Sequence, residues 1–326
     1  MSEKAYKDIQ KMNQSSLKIL LNNPSQFKNI IDGDVTSSDN DHFTFGTAVD
    51  ILKTEGVSQY NNKFAVITKM PSDTIKLIVN MVYDNLYDDH LNTGSIIDNS
   101  FDSYTTLIGP AANNVNYQAN WKLQTRIDKI IKEGGEYFRF LVDNAGKIFI
   151  SEYDDQQAKA CYMAIESNEF HIDLLSKGSI KYKQVIEFEM KDVQMKAEID
   201  AIIINEKEKF IIPIDYKTSG QNVLFFNSSF WKFRYDFQAA AYTEALRQEY
   251  PGYEIKPFKF IVINKDYPTP IIYTVTNEVL GIGLNGGILS NGKRLEGVNQ
   301  SLNRYKWHIE YDKWQYPMEY YMNNSL

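Results

Sequence analysis

The sequence predicts an α/β protein with a mixed central sheet and flanking helices, on three observations. Apolar runs of strand length, four to eight residues, recur from about position 180 to 275. Segments rich in Ala, Leu, Gln and Met, with helical spacing of their apolar positions, precede and separate those runs. A hydrophobic content of 43% over 326 residues is enough for a sizeable core.

Taken in order, the pattern predicts helices over 14–31 and 46–54, then a polar, irregular middle with a surface loop at 88–95. Further helices are expected over 117–143 and 155–167. Strands follow at 185–190, 197–204, 210–216, 258–263 and 270–275, with a helix over 234–246 between the third and fourth. The expected division is a helical region, 1–178, packed on a core of residues 179–326. Gly281, Gly283 and Gly286 fit Gly-x-Gly-x-x-Gly, but five residues separate them from the preceding strand and no second βαβ half follows. A glycine-softened helix start accounts for them better than a dinucleotide site.

Composition narrows the class without choosing it. No run approaches the ~18 apolar residues of a membrane helix, and the first residues lack an apolar signal segment. A cytoplasmic protein with no membrane partner is expected. Cys161 is the single cysteine, which excludes an internal disulfide and a four-cysteine iron–sulfur cluster. The net charge of −7 argues against a protein coated in phosphate contacts. It still permits a local basic track beside an acidic site.

The most informative stretch is the hairpin over 197–217. Glu198 and Asp200 stand two apart on one strand, Asp215 and Lys217 two apart on the next, so each pair shares a face. The polar segment 205–209 forms the turn. Centred on Lys207 and Glu208, it sets Asp200 opposite Asp215, with Cβ atoms about 5 Å apart. Two carboxylates that close, among isoleucines, need a compensating cation or proton. Mg²⁺ or Mn²⁺, which prefer oxygen ligands, would supply it. The competing reading is a surface hairpin with charges on its wet face. Gln238 and Tyr242, four apart on the following helix, also share a face.

A strand hairpin ending in Asp-x-Lys, followed by a helix with Gln-x-x-x-Tyr, resembles the core of the PD-(D/E)xK nucleases of the RecB-like group, with Pro213 two before Asp215. Over most of the chain the similarity is to the RecE-type phage exonucleases. It is carried by 13–18 with 23–27, by 45–50 against a Gly-Thr-Ala-x-His motif, by 146–151, and by Leu302, Tyr305, Trp314 and Pro317 near the end. Asp50 stands where that family has a metal-binding histidine. A carboxylate also ligates hard cations; His42, eight positions earlier, reads better as a solvated residue of a polar run.

The resemblance implies metal held by Asp50, Asp200, Asp215 and the backbone carbonyl of Tyr216, with Glu198 in reserve and Glu187 and Glu189 weaker. Lys217 would position water and stabilise charge, and Gln238 and Tyr242 would orient Lys217 or a phosphate. It further implies 5′ to 3′ digestion of linear duplex DNA in phage-type recombination, in a homo-oligomeric ring, with a single-strand annealing recombinase as partner. Candidate DNA contacts are Lys232 and Arg234, interleaved with Trp231 and Phe233. Lys122, Arg126, Lys129, Lys132, Lys181 and Lys183 are weaker candidates and read more simply as solvated faces. An endonuclease or nickase with the same site, and an inactive DNA-binding relative, are the rival readings.

Overall fold

The computed structural model describes residues 6, 9, 11–32 and 41–323, without the side chains of 41–43 and 323; His42, as a candidate ligand, therefore lies outside what is described. Contacts divide the chain into two compact units, Val57–Gln156 and the remainder, Met1–Gly56 with Gln157–Leu326. No helix among the described residues is long and apolar enough to cross a membrane.

The Val57–Gln156 unit holds the segment expected to be irregular, and it is helical. Strand β1 (Phe64–Ile67) pairs in parallel with β2 (Ile148–Ser151). Between them lie the helices Asp73–Thr93, Thr105–Asn114 and Leu123–Asp143. In the first, Ile75, Ile78, Val79, Val82 and Tyr83 form one buried stripe at helical spacing. The acidic and amide residues that suggested a loop at 88–95 occupy its wet face, and the helix runs to Thr93. Gly94 then stops it in the left-handed conformation, φ 73°, its N–H donating to the His90 carbonyl. Left-handed Asn116 and Gln118 keep 116–122 out of the next long helix, which starts at Leu123 rather than 117. Gly134 lets that helix pass Val79 closely; a Cβ there would lie 2.6 Å from Val79 Cγ2.

The other unit is built on a six-stranded sheet in which β3 (Ser179–Met190), β4 (Val193–Asn205), β5 (Phe210–Ser219), β7 (Lys259–Asn264) and β8 (Ile271–Thr274) lie side by side in that order, and short β6 (Glu254–Ile255) also pairs β5. Strands β3, β4 and β5 form an antiparallel meander; β5 and β7 are parallel, and β7 and β8 antiparallel. A parallel pair needs a crossover. Here it is the helices Phe226–Lys232 and Tyr235–Glu249, the second burying Phe237, Ala239, Ala241, Ala245 and Leu246. The mixed sheet with flanking helices is the fold class the sequence predicts.

Pro24 splits the expected 14–31 helix into Gln14–Asn22 and Pro24–Asp32, since proline cannot continue the preceding hydrogen-bond ladder. Phe27 stacks on Trp314 at 5.7 Å and meets Tyr305 edge-on at 5.9 Å, which fastens the tail segment to the opening helices. The glycine motif occupies the body and end of the helix Asn277–Asn285, not its start. Gly283 sits where a Cβ would lie 2.1 Å from the Asp236 carbonyl, so its smallness permits two helices to touch; Gly286 caps the end at φ 79°.

Candidate active site

The β4–β5 hairpin has the expected register. Asn205 pairs with Phe210 and Ala201 with Ile214, so the turn centres between Lys207 and Glu208, and the next step outward brings Asp200 opposite Asp215. Asn205 Oδ1 accepts the Glu208 N–H at 2.8 Å and Lys209 takes φ 55°, which closes the turn. Asp200 is fixed by the backbone: the Tyr216 N–H donates to its Oδ2 at 2.9 Å. Asp215 is fixed by the crossover helix, where Gln238 Nε2 donates to its Oδ1 at 2.5 Å. Its other oxygen lies 2.8 Å from Lys217 Nζ but outside hydrogen-bond geometry, and has no hydrogen-bond partner.

Asp200, Asp215, Lys217, Gln238 and Tyr242 line one cavity of about 260 Å³, together with Glu198 and with Tyr6 and Gln14 from the chain's first segment. Asp50, on the helix Asp41–Thr54, reaches the same carboxylates through Lys183. The Lys183 ammonium is 2.6 Å from Asp50 Oδ2, 3.4 Å from Asp200 Oδ1 and 3.8 Å from Glu198 Oε1. Asp50 Oδ1 is buried without a hydrogen bond.

Asp50, Asp200 and Glu198 thus face the ammonium of Lys183, and Asp215 that of Lys217; burial is the largest influence on each shifted proton affinity here, and the neighbouring charges come second. Burial, then the Asp200 carboxylate, raise Asp50 to about 7 against the pull of Lys183. Burial likewise raises Asp215 to about 6, with Lys217 opposing and Asp200 adding. Burial works against the Lys217 ammonium, but Asp215 and Asp200 outweigh it and hold it charged. Lys18, whose Nζ donates to the Phe233 carbonyl, is the third cation near this cluster; burial, with Lys217 beside it, lowers it to about 7.

The remaining candidates are placed differently. The Tyr216 side chain lies on the opposite face of β5, where its hydroxyl is 3.2 Å from His171 Nε2. Arg234, expected to meet DNA, is committed elsewhere: in a left-handed residue at φ 55°, its guanidinium forks onto fully buried Asp236 at 3.0 Å and donates to the Glu296 carbonyl. Lys232 is exposed, its ammonium over the Phe233 ring. Arg126 is buried and donates to the Tyr117 carbonyl. Glu187 pairs with Lys11 and Glu189 accepts from Gln194.

The sequence reading placed Lys183 on a solvated face and gave no part to Lys18, Gln14 or Tyr6. For Lys18 and Gln14 a signal existed, since they stand four apart on one face of the first helix. Nothing local marked Tyr6.

Among the described residues no group of three or more His, Cys, Asp or Glu side chains stands ready-made for a metal ion. Lys183 and Asp50 do not line the cavity themselves; the Lys183 ammonium links Asp50 to Asp200, which does. The donor chemistry nonetheless suits a hard divalent cation: every candidate ligand is an oxygen, three of them carboxylates and one a backbone carbonyl, and Asp50 and Asp215 each keep a buried oxygen without a hydrogen bond.

A family model described as a PDDEXK-like domain of unknown function (DUF3799) matches residues 13–303. No curated protein matches the chain. Among solved structures, the Eubacterium rectale protein named "Putative exonuclease" is 15% identical at a TM-score of 0.47, with 86% of this chain and 79% of that one covered. The protein SSO0001 is 13% identical at a TM-score of 0.24, covering 62% of this chain and 82% of its own. Protein VC1899 from Vibrio cholerae is 12% identical at 0.19, covering 60% and 48%.

Proposed function

The chain belongs to this family of PDDEXK-like domains, and from that premise and the site's geometry we propose that it is a metal-dependent deoxyribonuclease, an exonuclease acting on the ends of linear duplex DNA. One observation carries the reading: Asp200, Asp215, Lys217 and Gln238, scattered over two strands and a helix, converge on one cavity, and Asp50 is joined to them through Lys183.

Asp200 and Asp215, with Asp50 and the backbone carbonyl of Tyr216, would hold Mg²⁺ or Mn²⁺. When bound, such an ion lowers the pKa of water and offsets charge building on a phosphate. Lys217 stays protonated under the pull of Asp215 and Asp200, so it positions water and stabilises the developing phosphorane charge rather than acting as base. Gln238 holds Asp215 through Oδ1, and the second oxygen, which faces Lys217 at 2.8 Å, would turn to the cation. Tyr242, buried beside Gln14, closes the back of the cavity. The exposed ammonium of Lys232 is available to a DNA backbone, whereas Arg234 serves first as the partner of Asp236.

The similarity to RecE-type exonucleases supports the finer expectations of 5′ to 3′ polarity, a role in phage-type recombination in the host cytoplasm, a ring-shaped homo-oligomer and an annealing recombinase as partner. Asp50 in the position of the family's histidine adds a carboxylate where that group has a neutral ligand. The division into a helical region, 1–178, which contributes Asp50, and a nuclease core, 179–326, is carried forward as part of the same proposal.

Linear duplex labelled at either terminus, and covalently closed circles, each with Mg²⁺ or Mn²⁺ and with Asp215→Ala as control, test the reading. Loss of the 5′ label with intact circles is expected. Cut circles would identify an endonuclease or nickase, and absence of cleavage with both metals a DNA-binding relative.

A further inference from the structure

Lys183 is held in an unusual way for a strand residue. The β3–β4 ladder is regular on both sides of it, Tyr182 opposite Ala201 and Gln184 opposite Ile199, and omits the step between them, where Lys183 would pair with Asp200. At that step Lys183 takes φ 47°. A left-handed conformation is strained for a residue with a side chain, and such strain persists only where the surroundings impose it. Here they do: the ammonium is 2.6 Å from Asp50 and within 4 Å of Asp200 and Glu198, three carboxylates contributed by a helix and a neighbouring strand. Lys217 already serves Asp215 from the other side. Lys183 is therefore a second lysine, outside the Asp-x-Lys motif, placed where a cation is needed if Asp50 and Asp200 are to lie close together.

We propose that Lys183 is a tethered counter-cation of the nuclease site, which holds Asp50, Asp200 and Glu198 together in the metal-free protein and gives up those oxygens when a divalent cation enters. The inference rests on the metal-dependent reading above. It assigns the lysine a positioning role: it sets how tightly the site takes metal and keeps the empty site from collapsing or springing apart. A flexible four-carbon stem allows the ammonium to swing away while its backbone stays in the sheet. Displacement of a bound cation by an incoming one costs affinity for the newcomer, as any competing ligand does.

Calorimetric titration of the full-length protein with Mn²⁺, beside thermal melts with and without Mn²⁺, provides the test in wild type, Lys183→Met and Lys183→Gln. Both variants should bind Mn²⁺ about tenfold tighter or more than wild type, a change of ~1.4 kcal/mol. Both should melt lower than wild type without metal and show a larger rise on its addition. Wild-type protein supplies a second readout, since the side-chain NMR signal of Lys183 should move on titration with diamagnetic Mg²⁺ even if a variant fails to fold. Wild-type binding with equal or weaker affinity in folded variants, or a Lys183 signal that stays fixed as the site fills, would overturn the counter-cation while leaving the metal site intact. Absence of Mn²⁺ binding in every protein would overturn both.

Discussion

Strand β5 carries buried polar groups on both of its faces, and the two faces follow different rules. On the Tyr216 side, Lys53 is tied to Glu166 and to the Tyr182 hydroxyl at 2.9 Å, with the rings of Tyr182 and Tyr216 over its ammonium. His171 adds an imidazole to Tyr216. One cation meets one carboxylate, and the charge closes within the protein. On the Asp215 side, Lys183 meets Asp50, Asp200 and Glu198, Lys217 meets Asp215, and buried oxygens of Asp50 and Asp215 lack hydrogen bonds. One face pairs a single cation with a single carboxylate; the other gathers several carboxylates around shared ammoniums, the arrangement on which the proposed metal dependence rests.

The sharpest way to break this contrast is Asp215→Asn. Cleavage should fall about 10³-fold or more, while the metal-free protein should melt at the same temperature or higher, because a carboxylate strained by burial becomes a neutral amide. A large drop in melting temperature would make Asp215 a structural residue like those behind it. Metal addition gives an effect of the same order as the pH dependence of the opposite face. With Mn²⁺ at about 100 times its dissociation constant, wild type should gain about 2.7 kcal/mol and Asp215→Asn much less, as read by denaturant titration; equal gains would place the ion elsewhere.

The opposite face has its own pH signature. Burial, with Lys53 nearby, lowers His171 to about 4, so the folded protein keeps it neutral while the unfolded chain binds a proton below about 6.5. Its contribution is present above that pH and is lost as the pH falls from about 6.5 towards 4, up to about 3 kcal/mol. Denaturant melts of wild type and His171→Phe at pH 7 and 4.5 should show the wild-type loss and its absence in the variant. Smallest of all, Tyr216→Phe should cost about 1 kcal/mol and leave cleavage unchanged. A cleavage defect of tenfold would mean that the two faces communicate.

How much of this was legible in the sequence depended on range. The hairpin was readable because a strand alternates with period two and a four-residue turn fixes its register, so Asp200 and Asp215 could be set opposite each other from spacing alone. Gln238 was readable because a helix repeats within four residues. Lys183 was not, since its left-handed backbone breaks the alternation and its partner Asp50 lies 133 positions away. Arg234 misled for a related reason: Asp236, two positions on, is an ordinary sequence neighbour until folding buries it completely. The 73–93 helix was missed because its wet face is rich in Asp and Asn, which favour loops on composition but cost little on a surface.

The interruption of one compact unit by another, with Val57–Gln156 set between Gly56 and Gln157, bears on biosynthesis. A chain emerging from the ribosome delivers Asp50 early and then the whole intervening unit, which can fold as it appears. The helix bearing Asp50 also carries Ala48, Val49, Ile51 and Leu52, all buried in the finished protein, and these must wait in the open for strands not yet translated. Assembly of the first unit is thus obligatorily late, and the interval is when a nascent chain of this design most needs a chaperone's cover.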